Sequence, residues 1–136
     1  MATKIFINLP VKDLNRSIEF FTSLGYSFNP QFTNEQGAAL VISDNIFFML
    51  LTEPFFKSFI KKEIADATKV TESISCISVD SREAVDEIVR KAVAGGATTP
   101  GEKQDYGWMY NHGFQDLDGH LWEFSYIDES AVPGQA

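Results

Sequence analysis

The sequence predicts an α+β fold made of two βαβββ repeats. Three observations point there. An alternating apolar run is followed by an amphipathic helical stretch and three more strand-like runs, and the same order returns after residue 70. Val11-Lys12-Asp13 before the first helical stretch is echoed by Val79-Asp80 before the second. Turn formers separate the strand-like runs, at Asn34-Glu35-Gln36-Gly37, Asp44-Asn45 and Asp116-Leu117-Asp118-Gly119. The repeat is one of pattern, since side-chain identity between the halves is low.

The first strand rests on Ile5, Ile7 and Leu9 alternating with Phe6 and Asn8, with Pro10 at its end. Asp13 offers an N-cap, and Leu14, Ile18, Phe21 and Leu24 share one face of a helix that stops at Gly25. Strands are expected at Tyr26–Phe32, Ala38–Ser43 and Ile46–Thr52. Glu53-Pro54 breaks the pattern, and Phe55, Phe56, Phe59, Ile60 and Ile64 then make an apolar stripe on a short helix. In the second half Ile74–Val79 reads as a strand. Asp80-Ser81-Arg82-Glu83 fits a capping box with Asp80 at the cap, ahead of an apolar face of Val85, Ile88, Val89, Ala92 and Val93 that ends at Gly95-Gly96. Strands follow around Ala97–Thr99, Gly107–Phe114 and Leu121–Tyr126, and Glu102–Trp108 reads as a flexible rim loop. The organisation is therefore a first unit at 1–52, a helical linker at 53–70, a second unit at 71–128 and a mobile tail at 129–136, in one compact domain.

Composition bounds the function. The chain has 136 residues and a net charge of −8, so a nucleic-acid partner would meet repulsion instead of counterion release. The longest apolar run, Ile46–Leu51, is far short of the roughly 20 residues of a membrane span. No signal peptide is apparent, and Cys76 is the only cysteine, which excludes an internal disulfide and a CxxC site. A cytoplasmic protein is expected. Twelve Phe, four Tyr and two Trp are many for this length. They fit a core of large side chains, an aromatic-lined cavity for an organic ligand, or both.

With Leu9-Pro10-Val11-Lys12-Asp13-Leu14 and Ser17-Ile18-Glu19-Phe20-Phe21 at its start and Asp116-Leu117-Asp118-Gly119-His120-Leu121-Trp122-Glu123 near its end, the repeated unit resembles the vicinal oxygen chelate superfamily. That family includes glyoxalase I, bleomycin-resistance proteins, fosfomycin-resistance enzymes and extradiol dioxygenases. The resemblance spans residues 4–127. It implies that the units curl into an open eight-stranded mixed sheet whose interior is the active site, with helices outside. It also implies four metal-ligand positions, on the first and last strand of each unit. Here those fall on Phe6, Met49 (or Leu50), Ile74 and Glu123, of which only Glu123 is a usable ligand for a hard divalent ion. No metal or other cofactor is expected. A divalent ion such as nickel or zinc would enter only if this strand alignment were wrong.

The histidines do not replace the missing ligands. His120 and Glu123, three apart on a strand, point to opposite faces, and His112 and Asp116 lie roughly 13 Å apart if extended. Within the implied barrel, strand parity turns Phe6, Asn8, Met49, Ile74, Cys76, Ser78 and Glu123 inward, with Leu121 and Ser125, while Trp122 and Phe124 face the helices. Cys76 reads as a small buried hydrophobe, since no neighbouring element offers an activating base. Trp108, Tyr110 and His112 share one face with Phe114. Their polar tips either line the pocket mouth as ligand contacts or belong to a core or subunit contact.

The expected function is metal-independent binding of a small organic ligand, cationic or aromatic, in the sheet cavity. The alternative is a glyoxalase-type lyase or isomerase acting on a small oxygenated substrate with Glu123 as general base. The resemblance further implies a homodimer.

Overall fold

A computed structural model describes residues 2–134; of the expected tail, residues 135 and 136 lie outside the described residues. The chain divides into two compact units, residues 1–65 and 66–136, and the boundary falls inside the expected linker.

In the first unit β1 (Ile5–Val11) is followed by α1 (Leu14–Ser23), β2 (Ser27–Asn29), a 3-10 turn (Pro30–Phe32), β3 (Gly37–Ser43), β4 (Ile46–Thr52) and the one-turn α2 (Glu53–Lys57). The sheet order is β1-β4-β3-β2, with β1 parallel to β4 and the other pairs antiparallel. Asp13 caps α1 by accepting from the Arg16 amide at 3.1 Å. The strand expected over Tyr26–Phe32 is cut at Asn29. Pro30 has no amide to give to the ladder, and the Asn29 side chain accepts from the Gln31 amide at 2.9 Å to start the 3-10 turn instead. Alternate residues Ala38, Leu40, Phe48 and Leu50 are almost fully buried, as are Leu14, Phe20 and Phe21 of α1, which packs across β2, β3 and β4.

The second unit repeats the order with β5 (Ile74–Ser78), α3 (Arg82–Ala94), β6 (Gln104–Asp105), β7 (Met109–Gln115) and β8 (Leu121–Ile127), then a 3-10 turn at Glu129–Ala131. Its sheet order is β5-β8-β7-β6, again with one parallel pair, β5 with β8. The cap of α3 is Ser81, not Asp80: Ser81 is extended (φ −157°, ψ 162°), and its hydroxyl accepts from the Ala84 amide at 3.0 Å. The strand expected around Ala97–Thr99 shrinks to one bridge, Thr98 with Gln115, and the fourth strand forms later, at β6. Val85, Val89 and Ala92 of α3 bury against the sheet with Phe114, Trp122 and Phe124. The fold is thus α+β, with two βαβββ modules whose mixed four-stranded sheets stay open. Among the described residues, no helix is long and apolar enough to cross a membrane.

Candidate functional site

The sheet of the second unit has two unlike faces, fixed by strand register. One carries Phe114, Trp122 and Phe124 under α3. The other carries Glu123, flanked by Cys76 on β5 and Gly113 on β7, with Ser78 and Asn111 on either side of Ser125 one step along. Glu123 is half-buried, and its carboxylate has no hydrogen bond or ion pair among the described residues. Ile74, Gly113, Leu121 and Glu123 line a cavity of about 250 Å³, and the segment Pro100-Gly101-Glu102 forms its rim. Glu102 also lacks a described partner. Two uncompensated carboxylates thus border a largely apolar space.

Cys76 is exposed, not the buried hydrophobe its context suggested. It lies on the open face of β5, with its sulfur 3.3 Å from the Ser125 hydroxyl. Asn111, Gly113, Ser125 and Glu102 were missed as site residues. A glycine inside a strand marks a bulge or a close backbone approach, and Gly113 carried that signal. Glu102 carried none, because it reaches the cavity only through the path of its loop.

Trp108, Tyr110 and His112 lie on the opposite face from Glu123. Tyr110 pairs with Tyr126, and His112 with Phe124, on the α3 side of the sheet. The Tyr110 hydroxyl donates to Asp86 on α3 at 2.6 Å, and this bond pushes the phenol pKa up. Arg82 lies over the Tyr110 ring at 5.2 Å and donates to Asp105 (2.7 Å) and to the Gly107 carbonyl (3.0 Å). Lys103 reaches Asp86 at 3.5 Å, and the Asp86 charge raises its pKa. The expected flexible loop is therefore fastened to α3. Tyr110 serves that fastening, while His112 stands 3.3 Å from the Gly101 carbonyl.

In the first unit Phe6, Asn8 and Met49 share a face, as parity required. Phe6 stacks on Phe47 at 5.0 Å between ring centres. Asn8 lines a second cavity, of about 340 Å³, with Leu51, Phe56, Phe59 and Ile60. The phenylalanine stripe after Pro54 thus roofs its own sheet.

Comparison with known proteins agrees with this architecture. The family described as bleomycin resistance protein-like N-terminal matches residues 3–43. A Staphylococcus aureus structure, hypothetical protein SA1046, is 26% identical with a TM-score of 0.78, covering 93% of this chain and 95% of that one. A glyoxalase/bleomycin resistance protein/dioxygenase family enzyme from Burkholderia phytofirmans PsJN gives 16% identity and a TM-score of 0.75 over 93% and 99% of the two chains. The chain has the vicinal oxygen chelate fold. The fosfomycin resistance protein FosX of Listeria monocytogenes shares it at 20% identity and a TM-score of 0.65, over 93% of this chain and 91% of that one. Among curated proteins the sequence finds no match.

The donor set does not fit the divalent metal that this fold implies. Phe6 faces Phe47 in the parallel ladder, Met49 faces Asn8, and Ile74 faces Leu121, so Glu123 stands as the one hard donor among the four positions. Among the described residues, no three His, Cys, Asp or Glu side chains gather to hold an ion.

Proposed function

We propose that this protein is a metal-independent, cytoplasmic small-molecule binding protein that works as a homodimer and holds an organic cation beside Glu123. One observation carries the reading: Glu123, with no protein partner, lines an apolar cavity whose rim adds a second carboxylate, Glu102. A carboxylate half-removed from water without a counter-charge is destabilised, and a cationic group entering the cavity restores what it lost. Ile74 and Leu121 offer apolar surface to the rest of such a ligand. The net charge of −8 draws cations toward the chain. The bleomycin-resistance-like match over the first unit supports a binding role.

A second reading keeps the same carboxylate as general base of a lyase or isomerase. It is favoured by the room beside Glu123, where the neighbouring Gly113 presents no side chain.

Calorimetric titration of chelator-treated protein with benzyltrimethylammonium tests the first reading. Saturable one-to-one binding is expected, about tenfold weaker in Glu123→Gln and absent for the anion benzoate. Nickel and zinc are expected to give no one-to-one isotherm. Tight metal binding, or cation binding indifferent to Glu123→Gln, overturns the proposal.

A further inference from the structure

The second cavity differs in chemistry from the one beside Glu123. Four of its five lining residues are apolar: Leu51 from β4, and Phe56, Phe59 and Ile60 from α2 and the turn after it. The fifth, Asn8, has a side-chain amide with no partner among the described residues. No charged side chain lines the space. The nearby cation of Lys57 is held by the Lys62 carbonyl.

Asn8 also breaks a local rule. It interrupts the apolar strand Ile5–Val11, where asparagine is disfavoured, and makes no described side-chain contact in return. Such unrewarded departures from local preference concentrate at functional positions. The aromatic roof is likewise open: Phe59 stacks edge-on against Phe55 at 5.0 Å, yet 67% of its surface remains exposed.

We infer that the first unit carries a separate binding site, between the Asn8–Leu51 face of its sheet and the Phe56–Ile60 roof, for a neutral ring compound bearing one hydrogen-bonding group. The size follows from the volume. An apolar cavity of about 150 Å³ holds benzene, so about 340 Å³ accommodates one or two fused rings. Neutrality follows from the lining, because a charged ligand would shed hydration with no counter-charge to meet it. The hydrogen-bonding group follows from Asn8, whose amide both donates and accepts and therefore suits a phenol, a carbonyl or an amide. The ring follows from Phe56 and Phe59, which offer faces and edges for stacking. This site stands independently of the cation reading for the second unit.

The test uses the full chain, labelled with ¹⁵N and methyl ¹³C and titrated with 2-naphthol, with 2-naphthoate as the charged control. Saturable shifts are expected at the Asn8 side-chain amide and at the Leu51 and Ile60 methyls. The affinity should fall about tenfold in Asn8→Ala and in Phe59→Ala, with naphthoate binding at least as weakly as the variants bind naphthol. Both substituted side chains are exposed, and an otherwise unchanged amide spectrum confirms that each variant folds. Three results overturn the proposal: no saturable shift at these groups, an affinity indifferent to both substitutions, or naphthoate binding as tightly as naphthol. The benzyltrimethylammonium titration reads the other cavity, so the two readings fail separately.

Discussion

A methyl group placed on Gly113 would stand 2.0 Å from the carbonyl oxygen of Trp122. That oxygen belongs to the backbone of β8, so no side chain can swing aside to make room. Gly113→Ala must instead push β7 from β8 at the point where Gly113 faces Glu123. It is expected to cost about 2–3 kcal/mol of stability, read as a lower urea midpoint, and to weaken cation binding beyond that of a remote variant matched for stability. An unchanged midpoint would mean that β7 and β8 have slack at this step. Neighbouring residues show how far one position can be read from sequence. The alternation of Leu121, Trp122, Glu123 and Phe124 gives the correct face for each, because large apolar and charged residues separate cleanly on β8. On β7 the same alternation leaves the inward face open, since aromatic or polar residues occur on both parities. The Tyr110 hydroxyl bond to Asp86 decides it, from 24 residues away along the chain.

At the scale of elements, two carboxylates set opposite pH responses within the second unit. Asp116 organises the β7–β8 turn: it accepts from the Asp118 and His120 amides at 2.9 and 3.0 Å and from the Trp122 indole at 2.9 Å. Gly119 completes the turn at φ +95°, against the backbone of Ala67 and Thr68. Burial raises the Asp116 carboxyl above its ordinary 3.8, so the folded chain takes up this proton at higher pH than the unfolded chain does. Its contribution to stability is therefore full below 3.8 and declines as pH rises through the raised value. Asp105 behaves in reverse. The Gly107 amide, and then Arg82, hold it below 3.8, so its contribution is full above that value and is lost as pH falls through the lowered one. Urea unfolding over a pH series should show wild type gaining on Asp116→Asn as pH falls and losing ground to Asp105→Asn. Slopes of the same sign would contradict the assignment. The turn itself was legible in Asp116-Leu117-Asp118-Gly119, but its grip on Trp122 was not, because it forms only once β8 pairs with β7. Neither was β6 legible. It is two residues long and is held by Arg82, which lies 23 residues from Asp105. At α3, Asp80 and Ser81 are both good caps, and the extended backbone at Ser81 makes the choice.

For the whole molecule, the question is what covers its exposed apolar edge. Each first strand ends its own sheet: β1 pairs only with β4, and β5 only with β8. Those edges are not blunted by charge. Ile5 and Phe6 on β1 are each 51% exposed and Ile74 on β5 is 54% exposed, while Ile46, the ladder partner of Ile5, remains 39% exposed. Unprotected edges with large apolar side chains are uncommon on a lone soluble chain, and burial against a second copy removes the liability. A net charge of −8 opposes casual association, so a pairing that persists must bury apolar surface. Light scattering across a micromolar concentration series should give a mass near twice 15.2 kDa. Ile5→Glu, made at a side chain already half in water, should bring the mass to 15.2 kDa by placing a like charge on both sides of the contact, without loss of the folded amide spectrum. A wild-type chain that scatters as a monomer throughout, or an Ile5→Glu variant that stays paired, would leave the β1 edge solvated and remove the dimer from the proposed function.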